Sequence, residues 1–96
     1  MGACEFWAKG HGKSAAKAFD YAVANARYVY GNGGYTGTIA EKDSYRMVQV
    51  PEGRDPKDYA MEMLDDEKSW VQDKWGPAGC IQLGKSEYLF FGWASE

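Results

Sequence analysis

Histidine and cysteine are both scarce: His11 is the only imidazole, and Cys4 and Cys80 are the only thiols, in 96 residues. His11 lies between two glycines and has no Cys or Asp partner at ligand spacing, so the sequence offers no metal motif. Nothing marks either thiol as activated by a neighbouring base, so a Cys–His nucleophile pair has no support beyond the nearness of Cys4 and His11 in the chain. Each Cys falls in a strand-like run, where a buried, inert thiol is expected. No apolar stretch approaches the length that crosses a bilayer. The start, Met1-Gly2-Ala3-Cys4-Glu5, lacks a basic region followed by an apolar run, and its sixth position is not the Ser or Thr of a myristoylation signal. The expected setting is therefore the cytoplasm, with reduced thiols.

A basic excess is also missing. Eleven Lys and Arg stand against fourteen Asp and Glu, for a net charge of -3. That excludes the basic footprint of a general nucleic-acid binder and gives no attraction to an anionic membrane. The acidic run Asp65-Asp66-Glu67 is too small to make the chain a DNA mimic.

What the chain does have is aromatics: four Trp, seven Tyr and four Phe, within a hydrophobic content of 45%. Each buried ring removes a large apolar area from water. A chain of this length makes one domain, spanning 1–96, with limited interior. Some rings are therefore expected at the surface or in an interface, and a homo-oligomer is expected.

The period of the apolar residues sets the elements. Ala3 to Lys9 alternates as a strand and is broken by Gly10-His11-Gly12-Lys13. Ser14 is an N-cap for a helix over 15–30, whose apolar face is Ala15, Phe19, Ala22, Val23, Ala26 and Tyr30. Tyr35 to Glu41 and Ser44 to Val50 read as a hairpin turned at Lys42-Asp43. Asp55-Pro56 opens a second helix expected to run to about Trp75, stopped by Gly76-Pro77. Gly79 to Leu83 and Glu87 to Trp93 form a second hairpin. The run Tyr88-Leu89-Phe90-Phe91 is apolar on both faces, which fits an interior strand or one covered by another subunit.

The fold class expected is α+β, ordered β-α-β-β-α-β-β, with about five antiparallel strands and both helices packed on one face. The opposite face would then be an aromatic-bearing surface that binds a partner or dimerises. The two helix-plus-hairpin halves echo each other, Asp20-Tyr21-Ala22 with Asp58-Tyr59-Ala60 and Gly37-Thr38-Ile39 with Gly79-Cys80-Ile81. A tandem duplication and a chance match both remain open.

Three motifs could carry chemistry. Gly12-Lys13-Ser14 follows a strand and opens a helix, as a P-loop does, but Trp7 stands where that motif needs its first glycine. A weaker anion cradle at the helix start is weighed against a plain capped connection. The carboxylates show no pairing for acid–base work; Asp58 and Glu62 are a like-charge i, i+4 pair. No catalytic group, metal site or cofactor is expected, and the chain reads as a non-enzyme.

The third motif is Gly31-Asn32-Gly33-Gly34-Tyr35-Thr36-Gly37-Thr38-Ile39-Ala40-Glu41-Lys42. Its glycines exceed what one helix C-cap requires, and they allow close backbone approach to a ligand. Tyr35 offers a stacking face, Thr36 and Thr38 offer hydroxyls, and Lys42 offers charge. These parts suit a phosphate plus a planar base. The candidate ligand site is therefore Gly33, Gly34, Tyr35, Thr36, Gly37, Thr38 and Lys42, joined by Arg46 if its side of the hairpin faces the same pocket. The alternative is a helix end followed by an ordinary Thr-rich strand.

The block Gly33-Gly34-Tyr35-Thr36-Gly37-Thr38-Ile39-Ala40-Glu41-Lys42 resembles a segment of small uncharacterised proteins of bacteriophages and prophage-bearing bacteria. With the helix before it, the likeness covers about a third of the chain. It implies a phage or prophage origin and action by binding, either sequestering a host signal or blocking a host machine.

The expected function is a non-enzymatic module that sequesters a phosphate-bearing, nucleotide-like small molecule. Replacing Lys42 and Tyr35 by Ala is then expected to abolish binding with little loss of fold. The rival is a protein–protein inhibitor or adaptor of a host machine, using Trp7, Tyr45, Tyr88 and Trp93 as an exposed sheet face. A small enzyme with a site completed across a dimer is the third reading.

Overall fold

Alternation along Ala3–His11 forms strand β1, whose even-numbered residues Phe6 and Gly10 are buried. The chain then turns into helix α1, Ala15–Tyr30, with Ser14 at the N-cap accepting from the Lys17 N–H. The helix buries Ala18, Phe19, Ala22, Val23 and Ala26, one stripe at helical spacing. It ends at Gly31, whose N–H makes the last helical bond to the Arg27 carbonyl and whose φ of 85° turns the chain out of the helix. These elements belong to a computed structural model that describes residues 2–31 and 36–95.

The remaining elements are strand β2 (Tyr45–Met47), helix α2 (Pro56–Asp65), strand β3 (Ala78–Gln82) and strand β4 (Glu87–Ser95), with single 3-10 turns at Ile39–Glu41 and Trp70–Gln72. The sheet order is β1-β4-β3-β2. β4 runs antiparallel to both β1 and β3, and β2 runs parallel to β3. The fold is α+β, as expected, and the described sheet has four strands and is mixed rather than five-stranded and antiparallel. Among the described residues no helix is long and apolar enough to cross a membrane.

The interior position of β4 accounts for its two-sided apolar run. Its even-numbered residues Tyr88, Phe90 and Ala94 join α1 in one core. Leu89 and Phe91 join Ala60 and Leu64 of α2 in a second core. The helices therefore cover opposite faces of the sheet, which corrects the expectation of both on one face. A strand apolar on both faces needs a cover on each, and the two helices supply them. Close seating of α1 requires Gly10, because a Cβ there would lie 2.3 Å from the Ala18 carbonyl oxygen.

The expected hairpin over 35–50 does not form. Thr38 caps the turn at Ile39–Glu41 instead, its hydroxyl accepting from the Ala40 N–H at 3.2 Å. This local side-chain bond competes with a strand ladder, and the Thr-rich stretch takes it. Only Tyr45–Met47 extends, and it pairs with β3, Tyr45 opposite Ala78 and Met47 opposite Cys80. The segment between them carries α2 as the crossover that a parallel pair needs.

Helix α2 begins as expected, with Asp55 accepting from the Lys57 and Asp58 N–H groups and Pro56 in the first turn. It stops at Asp65, ten residues before Trp75. Asp65, Asp66 and Glu67 are acids at the negative end of the helix dipole, where they disfavour continuation. Asp66 bonds the Lys68 N–H and Ser69 caps the next turn, which still brings Val71 into the core. The echo between the two halves does not extend to conformation, since Gly37-Thr38-Ile39 enters a 3-10 turn and Gly79-Cys80-Ile81 lies within β3.

Candidate functional site

The chain from Thr36 to Lys42 makes a turn organised around a carboxylate. Glu41 Oε2 accepts from the Thr36 N–H at 3.0 Å and from the Thr36 hydroxyl at 2.9 Å. The Thr36 and Thr38 hydroxyls are 2.7 Å apart. With its proton on Glu41, Thr36 Oγ1 accepts from Thr38, whose own oxygen already takes the Ala40 N–H. The Gly37 N–H donates to the Ser95 carbonyl at 2.9 Å. Among the described residues, the Thr36, Gly37 and Thr38 donors expected to meet a phosphate thus have partners within the protein, and a negative charge stands among them.

Lys42 is 3% exposed and faces inward. Its Nζ donates to the carbonyls of Asp73, Lys74 and Gly76, at 3.3, 3.2 and 2.9 Å, and lies 5.9 Å from the Phe6 ring centre. Burial pushes the ammonium's pKa down, partly opposed by the Asp73 carboxylate. Lys42 ties the 73–76 segment to the turn and does not reach solvent, so the expectation that Lys42→Ala spares the fold is corrected. Arg46 is exposed on β2, with its guanidinium 5.1 Å from the Trp70 ring centre on the α2 side of the sheet. Gly33, Gly34 and Tyr35 lie outside the described residues.

Of the described candidates, Thr36, Gly37 and Thr38 come together on one cleft of about 550 Å³. It runs along β1, under the outer flank of α1. Phe6, Ala22, Ala26 and Ile39 give it an apolar floor, and Asn25 and Tyr30 add an amide and a phenol. Lys42 and Arg46 do not line it. The sequence reading passes over Asn25 and places Tyr30 on the apolar face of α1, which the structure corrects: Tyr30 is 63% exposed. Their signal is spacing: Asn25 stands between Ala22 and Ala26, small residues that leave room beside the strand. Glu41 was visible in the sequence, but its bonds back to Thr36 were not.

The other motifs resolve as structure. The Gly12 N–H donates to the Ser86 carbonyl at 3.1 Å and the Ser14 hydroxyl is occupied by the Lys17 N–H, so two parts of the anion cradle are taken. His11 is exposed and meets the Tyr21 ring edge-on. Cys4 and His11 lie near opposite ends of β1, roughly 25 Å apart along an extended strand. Cys80 is wholly buried, and burial pushes its thiol up to about 12. Among the described residues no three His, Cys, Asp or Glu side chains group as metal ligands.

The proposed aromatic sheet face is not a free surface. Tyr88 is buried beside α1, and the half-buried Tyr45 packs in the same core. Trp7 and Trp93 pack on the opposite core, Trp93 donating through Nε1 to the Leu64 carbonyl. Exposed aromatic surface lies instead at the end of α1, where Tyr28 is 91% exposed beside Val29 and Tyr30. Comparison with protein-family models, curated proteins and solved structures gives no match.

Proposed function

We propose that the protein is a non-enzymatic binding module that sequesters a nucleotide-like small molecule in the cleft between β1 and α1. The observation that carries this reading is the cleft itself: about 550 Å³, with an apolar floor, Asn25, Tyr30 and the Thr hydroxyls on its rim, and the opposite charges Glu5 and Lys9 along β1. Small-molecule sites share that size and that make-up. Tyr30 can stack on a planar base, and Asn25 can pair with its edge through one donor and one acceptor. Glu41 beside Thr36 and the internal engagement of Lys42 argue against a phosphate anchor in the turn. The base and sugar are therefore the recognised parts. The likeness of the 33–42 segment to small phage and prophage proteins favours sequestration over turnover.

A thermal-shift panel tests this with nucleosides, mononucleotides, cyclic oligonucleotides and ADP-ribose derivatives. Ligand at about a hundred times its dissociation constant adds roughly 2.7 kcal/mol, which moves the midpoint of a domain this size by about 10–20 °C. Asn25→Ala with Tyr30→Ala should abolish the shift and leave the unliganded midpoint within about 5 °C. A shift that survives both changes removes the ligand from this cleft.

A second reading has its own observation. Tyr28, Val29 and Tyr30 make an exposed apolar end on α1, of the kind that anchors protein partners. A flat ligand panel, with a single stoichiometric protein captured by the wild type and lost in Tyr28→Ala, would favour an inhibitor or adaptor of a host protein.

A further inference from the structure

β1 is the outermost strand. It pairs with β4 at nine positions, from Ala3 opposite Ser95 to His11 opposite Glu87. Its other side has no strand partner among the described residues. In an antiparallel ladder, alternate residues turn both backbone groups to the same neighbour. The Gly12 N–H meets the Ser86 carbonyl and the Leu83 N–H meets the Glu87 carbonyl, so even-numbered residues of β1 face β4. The N–H and C=O groups of Glu5, Trp7 and Lys9 therefore point away from the sheet. Cys4 Sγ, 3.4 Å from the Glu5 carbonyl, is a weak occupant of that row. A long open edge of this kind is a template for another strand.

We infer that β1 pairs antiparallel with β1 of a second copy, about a two-fold axis at Trp7. The reason for a second copy is the charge order of the strand itself. With the axis at Trp7, Glu5 stands opposite Lys9 of the partner subunit and Lys9 opposite the partner's Glu5. Trp7 stands opposite the partner's Trp7. Both ion pairs form at once because a two-fold interface is self-complementary. Moving the axis to Phe6 or Ala8 sets each charge against another residue, and moving it to Glu5 sets like charges face to face. Opposite charges directly across a ladder stabilise it and like charges destabilise it. Glu5 and Lys9 are both exposed, and among the described residues neither has an ion-pair partner; Glu5 takes only the Trp7 indole N–H, at 2.7 Å.

Pairing would join the two sheets into one. The cleft runs along the same strand, so the two clefts would meet at the seam. Glu5, Trp7 and Lys9 also line the cleft, so the two readings share this strand, but the inference does not need a ligand.

The test is charge reversal read by analytical ultracentrifugation of the full chain. Wild type should sediment as a dimer at micromolar to millimolar concentration. Glu5→Lys and Lys9→Glu should each weaken self-association on the order of thirty-fold, since each turns two attractive pairs into repulsive ones. Each should keep wild-type circular dichroism, both sites being exposed. The double variant Glu5→Lys with Lys9→Glu should dimerise again, and an equimolar mixture of the two single variants should form heterodimers. A monomeric wild type overturns the inference and leaves the edge to a strand of another protein. A dimer indifferent to both reversals, or not restored by the double variant, overturns it equally.

Discussion

Phe90 and Phe91 are consecutive and both wholly buried, yet they lie in different cores. Phe90 meets Phe19 of α1, ring centres 5.6 Å apart, while Phe91 stacks near Trp7 at 6.0 Å on the α2 side. One strand thus holds both halves of the interior, because alternate side chains leave a strand on opposite sides.

Phe90→Leu and Phe91→Leu are each expected to destabilise the fold by about 1–2 kcal/mol, from lost ring contacts and imperfect refilling. They should differ in where the structure loosens. Hydrogen exchange should speed first in α1 for Phe90→Leu and first in α2 for Phe91→Leu. The same pattern for both variants would mean that the two cores do not open separately.

Gly79 presents the same strand pair from the other side. A Cβ on Gly79 would lie 2.4 Å from the Phe91 ring. Gly79→Ala is expected to cost about 1–3 kcal/mol by overpacking, read as a lower urea midpoint. Adding Phe91→Leu should recover part of that loss, since the clashing ring atoms are gone.

Lys42 gives a prediction with a sign in pH. Its folded pKa lies below the ordinary 10.5 because burial disfavours the charge. Between the lowered value and 10.5 the unfolded chain holds the proton more firmly. Stability therefore rises with pH through that window, by at most about 1.4 kcal/mol per unit. Lys42→Met should remove this rise. It also leaves three carbonyls without their shared donor, so it should cost about 1–3 kcal/mol at neutral pH. A flat difference between wild type and Lys42→Met from pH 7 to 10.5 would sink the assignment.

Cys80 works in the opposite direction. Its folded pKa is about 12 against an ordinary 9.0, so its contribution to stability is complete below pH 9 and lost as pH rises toward 12. Relative to Cys80→Ala, wild type should lose stability across that window. In the native protein a thiol reagent at pH 8 should label Cys4, which is half-buried, and leave Cys80 to react at the rate of unfolding.

Much of this architecture is legible in the sequence where one local rule acts alone. The α1 boundaries follow from Ser14 and Gly31 with the apolar spacing between them, and the β3–β4 hairpin follows from two apolar runs around Gly84-Lys85-Ser86. The sequence reading failed where two rules compete. Thr36 and Thr38 read equally as strand residues and as turn caps, and the Glu41 carboxylate decides between them by bonding back to Thr36 across five residues, which no strand or helix period signals. Val71 and Trp75 continue the α2 stripe by spacing, but the acidic run at 65–67 ends the helix first. Lys42 shows the limit most directly. A lysine beside glycines and threonines reads as a ligand contact, and nothing local reveals that three carbonyls of the 73–76 segment will enclose it.

The chemistry of the cleft yields the last prediction. Its rim carries Asn25, Tyr30 and the Thr hydroxyls, Glu5 and Lys9 line it along β1 with charges that offset each other, and Glu41 adds a negative charge behind Thr36. A nucleoside should therefore bind at least as tightly as its monophosphate, because the phosphate gains no cation in the turn and meets the field of Glu41. Glu41→Gln keeps a carbonyl acceptor for the Thr36 N–H and removes the charge. It should improve affinity for a monophosphate by a factor of about 2–5, corresponding to less than ~1 kcal/mol for a solvent-screened charge, and leave the nucleoside unchanged. Calorimetric titration of both ligands against both proteins separates the terms. A monophosphate that binds wild type much more tightly than its nucleoside would restore a phosphate anchor and move recognition away from these residues.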